Sequence, residues 1–534
     1  MSEHGTARLL RDLVGEGRAT IPQLLAARAA RTPDAPFVLH RSRVWTYAAA
    51  WSESVRFAGF LEGRISGTDR VASYLANAPE ALWTWFGTLT SGRVHVSINR
   101  AHRGPVLSDM LARSRAALLV TDMGAWPLLP ELRELGFRQI LFIDEVPDAA
   151  RAAGLTVLSW EDVAISKEGV CRATDPASAA TVIFTSGTTG RSKAVRLPHN
   201  MYCRGGAHVA EAFGFRADDV FHAWLPLAHI AGQLHITMSA IAAGASLALY
   251  KTFSRSRFWD EVAEARATVF AGLSNLLAML LMDPERPEDA RNSLRIGLIG
   301  NPPPALQAAF ERRFGVVILD TYGMTECGPL TLPTVTGRPP GSCGRPGPDF
   351  ELAILDPQDR PVPCGSVGRI VMHPRVPDVM MQTYEGDEEA TVAAWRNLWF
   401  HTQDLGRMDE KGFVYFVERL KDSIRRGGEN ISPAEVEQTI SAHPDVKDCA
   451  VVGVPDPLVG EEVKAAIVLK PGAAADAGGI RAFAAGRMAS FMVPRYIEFL
   501  EALPLSEIGK VQREELRRIG PETWDVQRQH HSSR

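Results

Sequence analysis

The chain has 534 residues, of which 46% are hydrophobic and 22% charged, with 45 glycines and 35 prolines spread along it. This is the composition of an ordinary globular protein, and it excludes a collagen-like or largely disordered chain. The 58 basic and 62 acidic residues leave a net charge of −4, which gives no general attraction to nucleic acid, so we expect no nucleic-acid partner.

The six cysteines are scattered, without a CxxC pair or a cysteine–histidine cluster at zinc-ligand spacing, which favours a reducing compartment. The N-terminal segment lacks the apolar core of a signal peptide. The most apolar stretch, residues 268–282, is too short and too polar for a membrane span. We therefore predict a cytoplasmic protein without a membrane span, and the sequence leaves its oligomeric state open.

Up to about residue 320, short apolar runs alternate with longer amphipathic stretches. TVIF at 181–184 and RIGLIG at 295–300 are typical of buried strands, and residues 258–281 form one of the amphipathic stretches. This alternation predicts an α/β fold with layered, partly parallel sheets. Together with the chain length it predicts a large N-terminal domain over residues 1–420.

Short strand-like pieces separated by Gly, Pro and Asp predict a β-rich subdomain over about 340–420. A charged, glycine-containing run then marks a boundary, and we expect a small, mobile α+β domain over 421–534. Its first helix, 433–442, is expected to begin after the N-cap Ser432, with Glu435 completing a capping box. Strands at 448–454 and 462–470 and a helix at 478–490 should follow.

The sequence TSGTTGRSK, residues 185–193, comes directly after the TVIF strand. Hydroxyls, backbone amides and glycines in such a loop can surround phosphate oxygens, and Lys193 adds a positive charge. The Walker A pattern does not fit, because Ser192 precedes Lys193 and Ala194 follows it. An ordinary Ser/Thr/Gly turn is the alternative interpretation.

Two further segments carry acidic residues beside possible phosphate or sugar contacts. In DTYGMTE, residues 320–326, Glu326 supplies the kind of oxygen ligand that Mg²⁺ prefers next to phosphates. In WFHTQDLG, residues 399–406, Asp404 is expected in a turn after an apolar pair, where it can accept hydrogen bonds from two sugar hydroxyls. Either residue alone would be unremarkable.

Five motifs occur in a fixed order: TSGTTGxxK, YGMTE, WFHTxD, RLKDxIRRGGENIxPxEVE and LPLSEIGKVQREEL. Together they resemble the adenylate-forming superfamily of acyl-CoA synthetases, luciferases and peptide-synthetase adenylation domains. The motifs run from about residue 181 to 513, and RRGGENISPAEVE is most similar to the carnitine/crotonobetaine-type carboxylate–CoA ligases.

The resemblance implies an AMP-forming ligase that uses ATP and Mg²⁺. It activates a small carboxylic acid as an acyl-adenylate, releases pyrophosphate, and transfers the acyl group to coenzyme A with release of AMP. One alternative keeps adenylation but passes the acyl group to a carrier protein, an amine or another nucleophile. Another is a non-catalytic nucleotide-binding homologue, although Lys193, Glu326, Asp404 and Lys510 are all present.

The resemblance also assigns roles to single residues. It gives catalytic roles to Thr325 at the α-phosphate, Glu326 at the Mg²⁺, and Lys510, which bridges carboxylate and phosphate during adenylation. His229, in WLPLAHIAG, is a candidate gate of the acyl site. The phosphate loop comprises Thr185, Ser186, Gly187, Thr188, Thr189, Gly190 and Lys193; Gly300, Asn301, Pro302, Tyr322 and Gly323 lie beside adenine; Asp404 and Arg419 hold the ribose; Lys421 is the hinge; and Gly427 and Gly428 replace Lys510 in the second step.

Four positions depart from the wording that is usual in this superfamily. Ser192 stands in place of a common proline, and Ala194 in place of a glycine. Asn301 replaces a small alanine, and Gln403 replaces the glycine of Thr-Gly-Asp. The sequence shows no basic cluster assignable to the 3′-phosphate of coenzyme A, and it does not identify the acid.

Overall fold

The computed structural model describes residue 12 and residues 17–152, 154–185, 192–419, 424–504 and 511–527. Within these ranges the chain forms two large, mostly parallel sheets, an antiparallel sheet and a C-terminal mixed sheet, together with two short two-stranded pairs. No helix in the described ranges is long and apolar enough to cross a membrane. The six cysteines are free thiols, and four of them are buried.

The first large sheet has eight strands and carries the predicted phosphate loop. Its strands are parallel except at one edge, where β8 and β9 form an antiparallel hairpin and β21 pairs with β9. In spatial order they are β21 (Thr383–Tyr384), β9 (Lys193–Pro198), β8 (Ala179–Thr185), β4 (His95–Ser97), β3 (Arg70–Tyr74), β5 (Ala116–Thr121), β6 (Gln139–Phe142) and β7 (Thr156–Ser159).

The second large sheet has seven strands and is parallel apart from its edge pair β1–β2. Near-continuous apolar strands such as IGLIG are buried on both faces, as helix-covered parallel sheets require. In spatial order its strands are β14 (Val317–Leu319), β13 (Ile296–Gly300), β12 (Val269–Leu273), β10 (Val220–Ala223), β11 (Ser246–Leu249), β1 (Pro36–His40) and β2 (Arg43–Thr46).

Helices cover these two sheets and bury apolar side chains against them. Residues 258–281, expected as one amphipathic stretch, divide into a helix, strand β12 and a second helix, because the segment VFAGL, which begins with a β-branched and an aromatic residue, pairs into the sheet. The α-helices of this part are Ile21–Arg31, Tyr47–Leu61, Pro79–Thr90, Gly104–Ser114, Asp148–Arg151, Trp160–Ala164, His199–Ala212, Ser239–Ala243, Phe258–Ala265, Ser274–Leu281, Pro304–Phe314 and Glu388–Ala393, with a 3₁₀ turn at Met123–Leu128 and a π-helix at Ala231–Met238.

The region expected to be β-rich contains the five-stranded antiparallel sheet. Two short strand pairs precede it, and strand β23 lies at its centre. The short pairs are β15 (Gly323–Met324) with β16 (Gly328–Pro329) and β17 (Thr331–Leu332) with β18 (Arg345–Pro346), and the sheet comprises β19 (Phe350–Leu355), β20 (Gly368–Pro374), β22 (Trp395–Arg396), β23 (Trp399–Met408) and β24 (Val414–Arg419).

The remaining described residues, 424–504 and 511–527, are called the C-terminal unit below. It has its own buried apolar cluster, which includes Ile424, Val436, Val463 and Ile480. The predicted boundary at residue 421 falls in 420–423, outside the described ranges, and stays a prediction. The unit comprises β25 (Ile424–Arg426), β26 (Glu429–Ile431), β27 (Val446–Asp456), β28 (Gly460–Leu469), β29 (Tyr496–Phe499) and β30 (Trp524–Asp525), helices Pro433–Ser441, Ala477–Ala485 and Arg513–Leu516, and a 3₁₀ turn at Ser490–Met492.

Two local expectations are wrong. Asp404 does not lie in a turn but inside the ten-residue strand β23, where the pairing with β20 is irregular. Ser432 is the N-cap of helix Pro433–Ser441, but its side chain makes no capping hydrogen bond, and the carboxyl of Glu435 bonds Ser192 instead. In each case a tertiary contact overrides the local preference.

Candidate active site

A cavity of about 510 Å³ opens where several parallel strands end. Trp224, Leu273, Gly300 and Asp320, at or just after the carboxyl ends of β10, β12, β13 and β14, all line it. This edge of a parallel sheet is where α/β proteins bind ligands. The predicted site residues that line it are Thr185, Lys193, His229, Gly300, Asn301, Tyr322, Gly323, Thr325, Glu326, Asp404, Gly427 and Gly428.

The other predicted residues either do not line the cavity or are not described by the structure. Pro302 is buried next to Asn301 but does not line the cavity wall. The backbone of Arg419 pairs with that of Asp404, although its side chain is not described. Ser186, Gly187, Thr188, Thr189, Gly190, Lys421 and Lys510 lie outside the described residues.

The predicted phosphate loop connects the two strands of the β8–β9 hairpin. Thr185 and Lys193, which flank the loop, are paired across this hairpin, so they lie next to each other at the cavity wall. The Lys193 ammonium lies 4.2 Å from the centre of the Tyr384 ring, within the range of a cation–π contact. The hairpin therefore presents a positive charge at this end of the cavity.

Tyr384 also holds the predicted metal ligand. Its hydroxyl donates a hydrogen bond of 2.8 Å to Oε1 of Glu326, and both side chains are buried. Burial, followed by the charge of Glu326, raises the pKa of Tyr384 far above its ordinary value, so the tyrosine stays a neutral donor. The sequence analysis missed this residue; its position in a two-residue strand beside β9 carries no motif.

Asp404, the candidate for binding ribose, lies on strand β23 and contacts Tyr322, the candidate beside adenine. The Tyr322 hydroxyl donates a 2.7 Å hydrogen bond to Oδ2 of the buried Asp404 carboxylate. Burial and the Asp404 charge raise the pKa of Tyr322 well above 10. The Tyr322 ring lies 6.0 Å from the ring of Phe416 at an angle of 28°, which fixes its orientation.

Two of the departures from the usual wording are in strained backbone. Asn301 has φ of 50° and Gln403 has φ of 64°, in the left-handed region that favours glycine. Asn tolerates this region better than most residues, whereas Gln does so less well. Both line the cavity, so each position carries a polar side chain where the superfamily wording has a small residue. Strain of this kind is often retained at functional sites.

Asp320 is a second residue that the motif reading did not single out. Its Oδ1 accepts a 3.0 Å hydrogen bond from the backbone N–H of Asn301. Burial raises the pKa of Asp320 to about 7, and it lines the cavity beside Cys343 and Arg425. The available signal was its place immediately after β14, at the ligand-binding edge of the sheet.

The predicted acyl gate, His229, lies at the start of the π-helix Ala231–Met238. Its Nδ1 accepts a hydrogen bond of 3.1 Å from the Ala231 backbone N–H, so the neutral ring carries its proton on Nε2. His235, one turn of the π-helix beyond Ala231, also lines the cavity. Burial lowers the pKa of His235 to about 4, so its imidazole is neutral near pH 7.

Gly427 and Gly428 form part of the cavity wall contributed by the C-terminal unit. Their φ angles are +56° and +99°. A Cβ on Gly428 would lie 1.7 Å from Cδ1 of Leu273, whereas a Cβ on Gly427 would lie 3.5 Å from Nδ2 of Asn275. Only glycine fits at position 428 in this arrangement of the chain.

The polar end of the cavity suits Mg²⁺ together with a polyphosphate. In the described ranges no three His, Cys, Asp or Glu side chains form a metal-binding cluster. Mg²⁺ is commonly held by one or two carboxylates, phosphates and water, and Glu326, buried at the cavity wall next to Thr325, is such a carboxylate. These residues therefore fit the ion, whose presence stays a prediction.

Comparison with known proteins shows the family of the chain. The family model of the AMP-binding enzymes matches residues 25–384, and that of the AMP-binding enzyme C-terminal domain matches residues 435–510. The crotonobetaine/carnitine–CoA ligase of Salmonella choleraesuis is 34% identical over 488 residues, covering 89% of this chain and 93% of the relative.

Two solved structures share the fold along nearly their whole length. A double mutant of the o-succinylbenzoate–CoA synthetase of Bacillus subtilis, bound to a product analogue, has a TM-score of 0.80 and 26% identity over 93% of this chain and 99% of its own. An amide bond synthetase of Marinactinospora thermotolerans has a TM-score of 0.79 and 26% identity, with coverages of 96% and 99%.

These matches confirm the predicted α/β fold class and superfamily. Because a family model covers most of the chain and a relative above 30% identity covers nearly all of it, the assignment does not depend on the motifs alone. The chain belongs to the family of AMP-binding enzymes, the adenylate-forming ligases that include the acyl-CoA synthetases.

Proposed function

We propose that this enzyme joins a small carboxylic acid to coenzyme A in two steps, with cleavage of ATP to AMP and pyrophosphate. The observation that carries the proposal is the convergence on one cavity of Lys193, Glu326, the Tyr322–Asp404 pair and the Gly427–Gly428 wall. These groups supply a cation, a metal ligand, a nucleoside contact and a narrow passage at a single place.

In the first step a carboxylate oxygen of the acid attacks the α-phosphorus of ATP. A new P–O bond forms, the bond between the α-phosphorus and the bridging oxygen breaks, and pyrophosphate leaves. Lys193, Thr325 and Asp404 all line the cavity, and in this proposal Lys193 would contact the β- and γ-phosphates while Thr325 and Asp404 would orient the α-phosphate and the ribose. Preorganised donors and cations favour such charge-separating steps.

Mg²⁺, when bound, would neutralise phosphate charge beside Glu326. The contribution of the chain is to position that carboxylate. The Tyr384 hydroxyl fixes one carboxylate oxygen, and the Tyr384 ring fixes Lys193, so a single buried side chain sets the spacing of the acidic and basic groups. Tyr384 therefore preorganises the phosphate end of the site.

In the second step the thiol sulfur of coenzyme A attacks the acyl carbon of the adenylate. A C–S bond forms, the C–O bond to AMP breaks, AMP leaves, and the thiol proton passes to solvent. Without side chains, Gly427 and Gly428 let the backbone approach Leu273 and Asn275 closely, and we assign the path of the narrow pantetheine arm to this part of the cavity wall. The Nε2–H of His229 is a suitable donor to the acyl oxygen, because its Nδ1 is already bonded.

The two steps require two arrangements of the C-terminal unit. The described arrangement places Gly427 and Gly428 at the cavity, while Pro504 and Val511, which flank the segment containing Lys510, do not line it. Rotation of a domain over 421–534 against one over 1–420, with its β-rich part at about 340–420 and Lys421 as hinge, would exchange Lys510 for the glycines. The domain boundaries are part of this proposal.

Coenzyme A is favoured as acceptor because the 34% identical relative is a CoA ligase and a 26% identical neighbour is a CoA synthetase. An amine acceptor is the second candidate, since an amide bond synthetase matches the fold almost equally well, with TM-scores of 0.79 and 0.80. A carrier-protein thiol would use the same glycine-lined passage.

Pyrophosphate exchange across a panel of carboxylic acids tests the first step. The active acid should then give AMP and a thioester when coenzyme A is added, and AMP release should depend on both. Acid-dependent exchange with an amide product from an amine, and without a thioester product, would favour the second candidate. Exchange that does not depend on any acid would contradict adenylation.

A further inference from the structure

Ser192, which stands in place of the usual proline, contacts the C-terminal unit. Ser192 directly precedes Lys193 at the end of the phosphate loop, and its Oγ donates a 2.5 Å hydrogen bond to Oε1 of Glu435. Glu435 belongs to helix Pro433–Ser441 of the C-terminal unit. Both residues are only 4% exposed, so the bond is shielded from water.

Hydrogen bonds engage both the hydroxyl and the backbone carbonyl of Ser192. Nη1 of Arg113 donates a 2.5 Å hydrogen bond to the Ser192 carbonyl and a 3.2 Å bond to Asp109. Burial raises the pKa of Glu435 to about 7, and the nearby charge of Asp109 acts in the same direction. The hydroxyl and the backbone of Ser192 favour the ionised form of Glu435, but burial outweighs them. Asp109 and Arg113 are thus the charged groups that face this pair from the helix Gly104–Ser114.

Glu435 forgoes a local interaction to make this contact. A glutamate at the third position of a helix, after a serine N-cap, commonly bonds back to the N-cap backbone and stabilises the helix. No such bond forms here, and Ser432 makes no side-chain cap. The carboxyl instead joins the C-terminal unit to the segment that positions Lys193.

We propose that Ser192 and Glu435 are positioning residues that latch the C-terminal unit to the phosphate loop in the arrangement that places Gly427 and Gly428 at the cavity. The latch has to open before the unit can rotate and bring Lys510 to the site, which rests on the proposed two-step function. Opening releases Ser192, so the loop that holds pyrophosphate and the position of the C-terminal unit are coupled through one hydrogen bond.

The chain offers variants that separate the hydrogen bond from packing. Ser192→Ala and Ser192→Pro remove the hydroxyl, and the proline also removes the N–H. Ser192→Thr keeps the hydroxyl, Glu435→Ala removes the acceptor, and Glu435→Gln keeps an acceptor oxygen. Glu437→Ala is a matched control, because Glu437 lies on the same helix but pairs with Arg513 inside the C-terminal unit.

The arrangement is measured without any substrate by the distance between two spin labels. Ile165→Cys and Leu458→Cys place them at exposed positions, in a background where the exposed Cys171 and Cys364 are changed to serine. A buried hydrogen bond to a carboxyl group predicts an about tenfold shift of the population away from the described distance for Ser192→Ala, Ser192→Pro and Glu435→Ala. Ser192→Thr, Glu435→Gln and Glu437→Ala should retain the parent distribution. Unchanged distributions in the first three variants would overturn the latch, as would an equal shift in Glu437→Ala.

The half-reactions give a readout that a merely structural role would not move. With the acid found by pyrophosphate exchange, Ser192→Ala should slow thioester formation from supplied acyl-adenylate about tenfold while leaving exchange unchanged or faster. Equal losses in both half-reactions would contradict the latch. Absence of exchange with every acid in the unmodified enzyme would instead contradict the proposed function, and the spin-label distances would still decide on the latch.

Discussion

Gly428→Ala is the most informative single substitution at the cavity wall. The added Cβ would lie 1.7 Å from Cδ1 and 3.0 Å from Cγ of Leu273, so Leu273 or the glycine segment has to move. The φ of +99° adds backbone strain for any residue with a Cβ. The clash applies only while Gly428 is against Leu273, whereas the positive φ belongs to the turn between β25 and β26 and stays when the C-terminal unit rotates as a body.

The expected size follows from the clash, because the backbone strain is the same in both arrangements. Overpacking costs about 1 to 3 kcal/mol, and the described arrangement alone bears this cost. That corresponds to an about 5- to 150-fold shift of the equilibrium away from the described arrangement. Adenylation, which we assign to the rotated arrangement, should not be slowed.

The assay compares the two half-reactions in the same enzyme preparation. Pyrophosphate exchange reports adenylation, and rapid mixing of purified acyl-adenylate with coenzyme A reports thioester formation. Gly427→Ala is the matched control for the clash, since its φ of +56° brings a similar backbone strain but its Cβ would meet only Nδ2 of Asn275 at an ordinary 3.5 Å. Leu273→Ala, combined with Gly428→Ala, should restore part of the lost rate by removing the clash.

Full thioester formation in Gly428→Ala would refute the assignment of this arrangement to the second step. So would an equal loss in both half-reactions, because the substitution would then act on the whole enzyme. Failure of the Leu273→Ala combination to restore any activity would show that the clash is not the cause.

Three further predictions follow from other contacts. Tyr384→Phe keeps the ring near Lys193 but removes the hydroxyl bond to Glu326, so adenylation at limiting Mg·ATP should fall about tenfold, and unaltered kinetics would remove Tyr384 from the site. Because the lost bond is buried, the free energy of unfolding should also fall, by about 1 to 3 kcal/mol. Gln403→Gly relieves a φ of 64° and should raise the free energy of unfolding in urea by about 1 kcal/mol; a decrease would show that the Gln403 side chain outweighs the strain. Burial raises the pKa of Glu435 from 4.5 to about 7 in the described arrangement, so forming this arrangement from the rotated one takes up a proton. The population of the described arrangement should therefore fall as the pH rises from about 4.5 to 7 and then level off. Glu435→Gln should show no such change in the spin-label distances.

The sequence predicted the layered fold because it depends on local patterns, and the ordered motifs predicted part of the cavity wall. The apolar runs at β8 and β13 have the strand signal of buried parallel sheets, and the ordered motifs carry Lys193, Glu326 and Asp404. The structure brings these three residues to one cavity, as the resemblance implies. Their individual roles stay predictions until they are measured.

The contacts that the sequence did not predict are those between distant segments. Tyr384 and Glu326 are 58 positions apart, and Ser192 and Glu435 are 243 apart, so neither pair has a local pattern. Asp404 was expected in a turn because it comes after an apolar pair, but pairing with β20 and β24 keeps it in a strand with an irregularity at Gln403. Tertiary pairing decides such positions, and propensity does not.

The fate of the acid's carboxylate oxygen tests the two-step mechanism most directly. With the active acid labelled with ¹⁸O in its carboxylate, one labelled oxygen should remain on the phosphate of AMP after thioester formation, because that oxygen attacked the α-phosphorus. The thioester should retain the other labelled oxygen. Unlabelled AMP, or label in inorganic phosphate with ADP as the nucleotide product, would contradict activation of the acid as an adenylate.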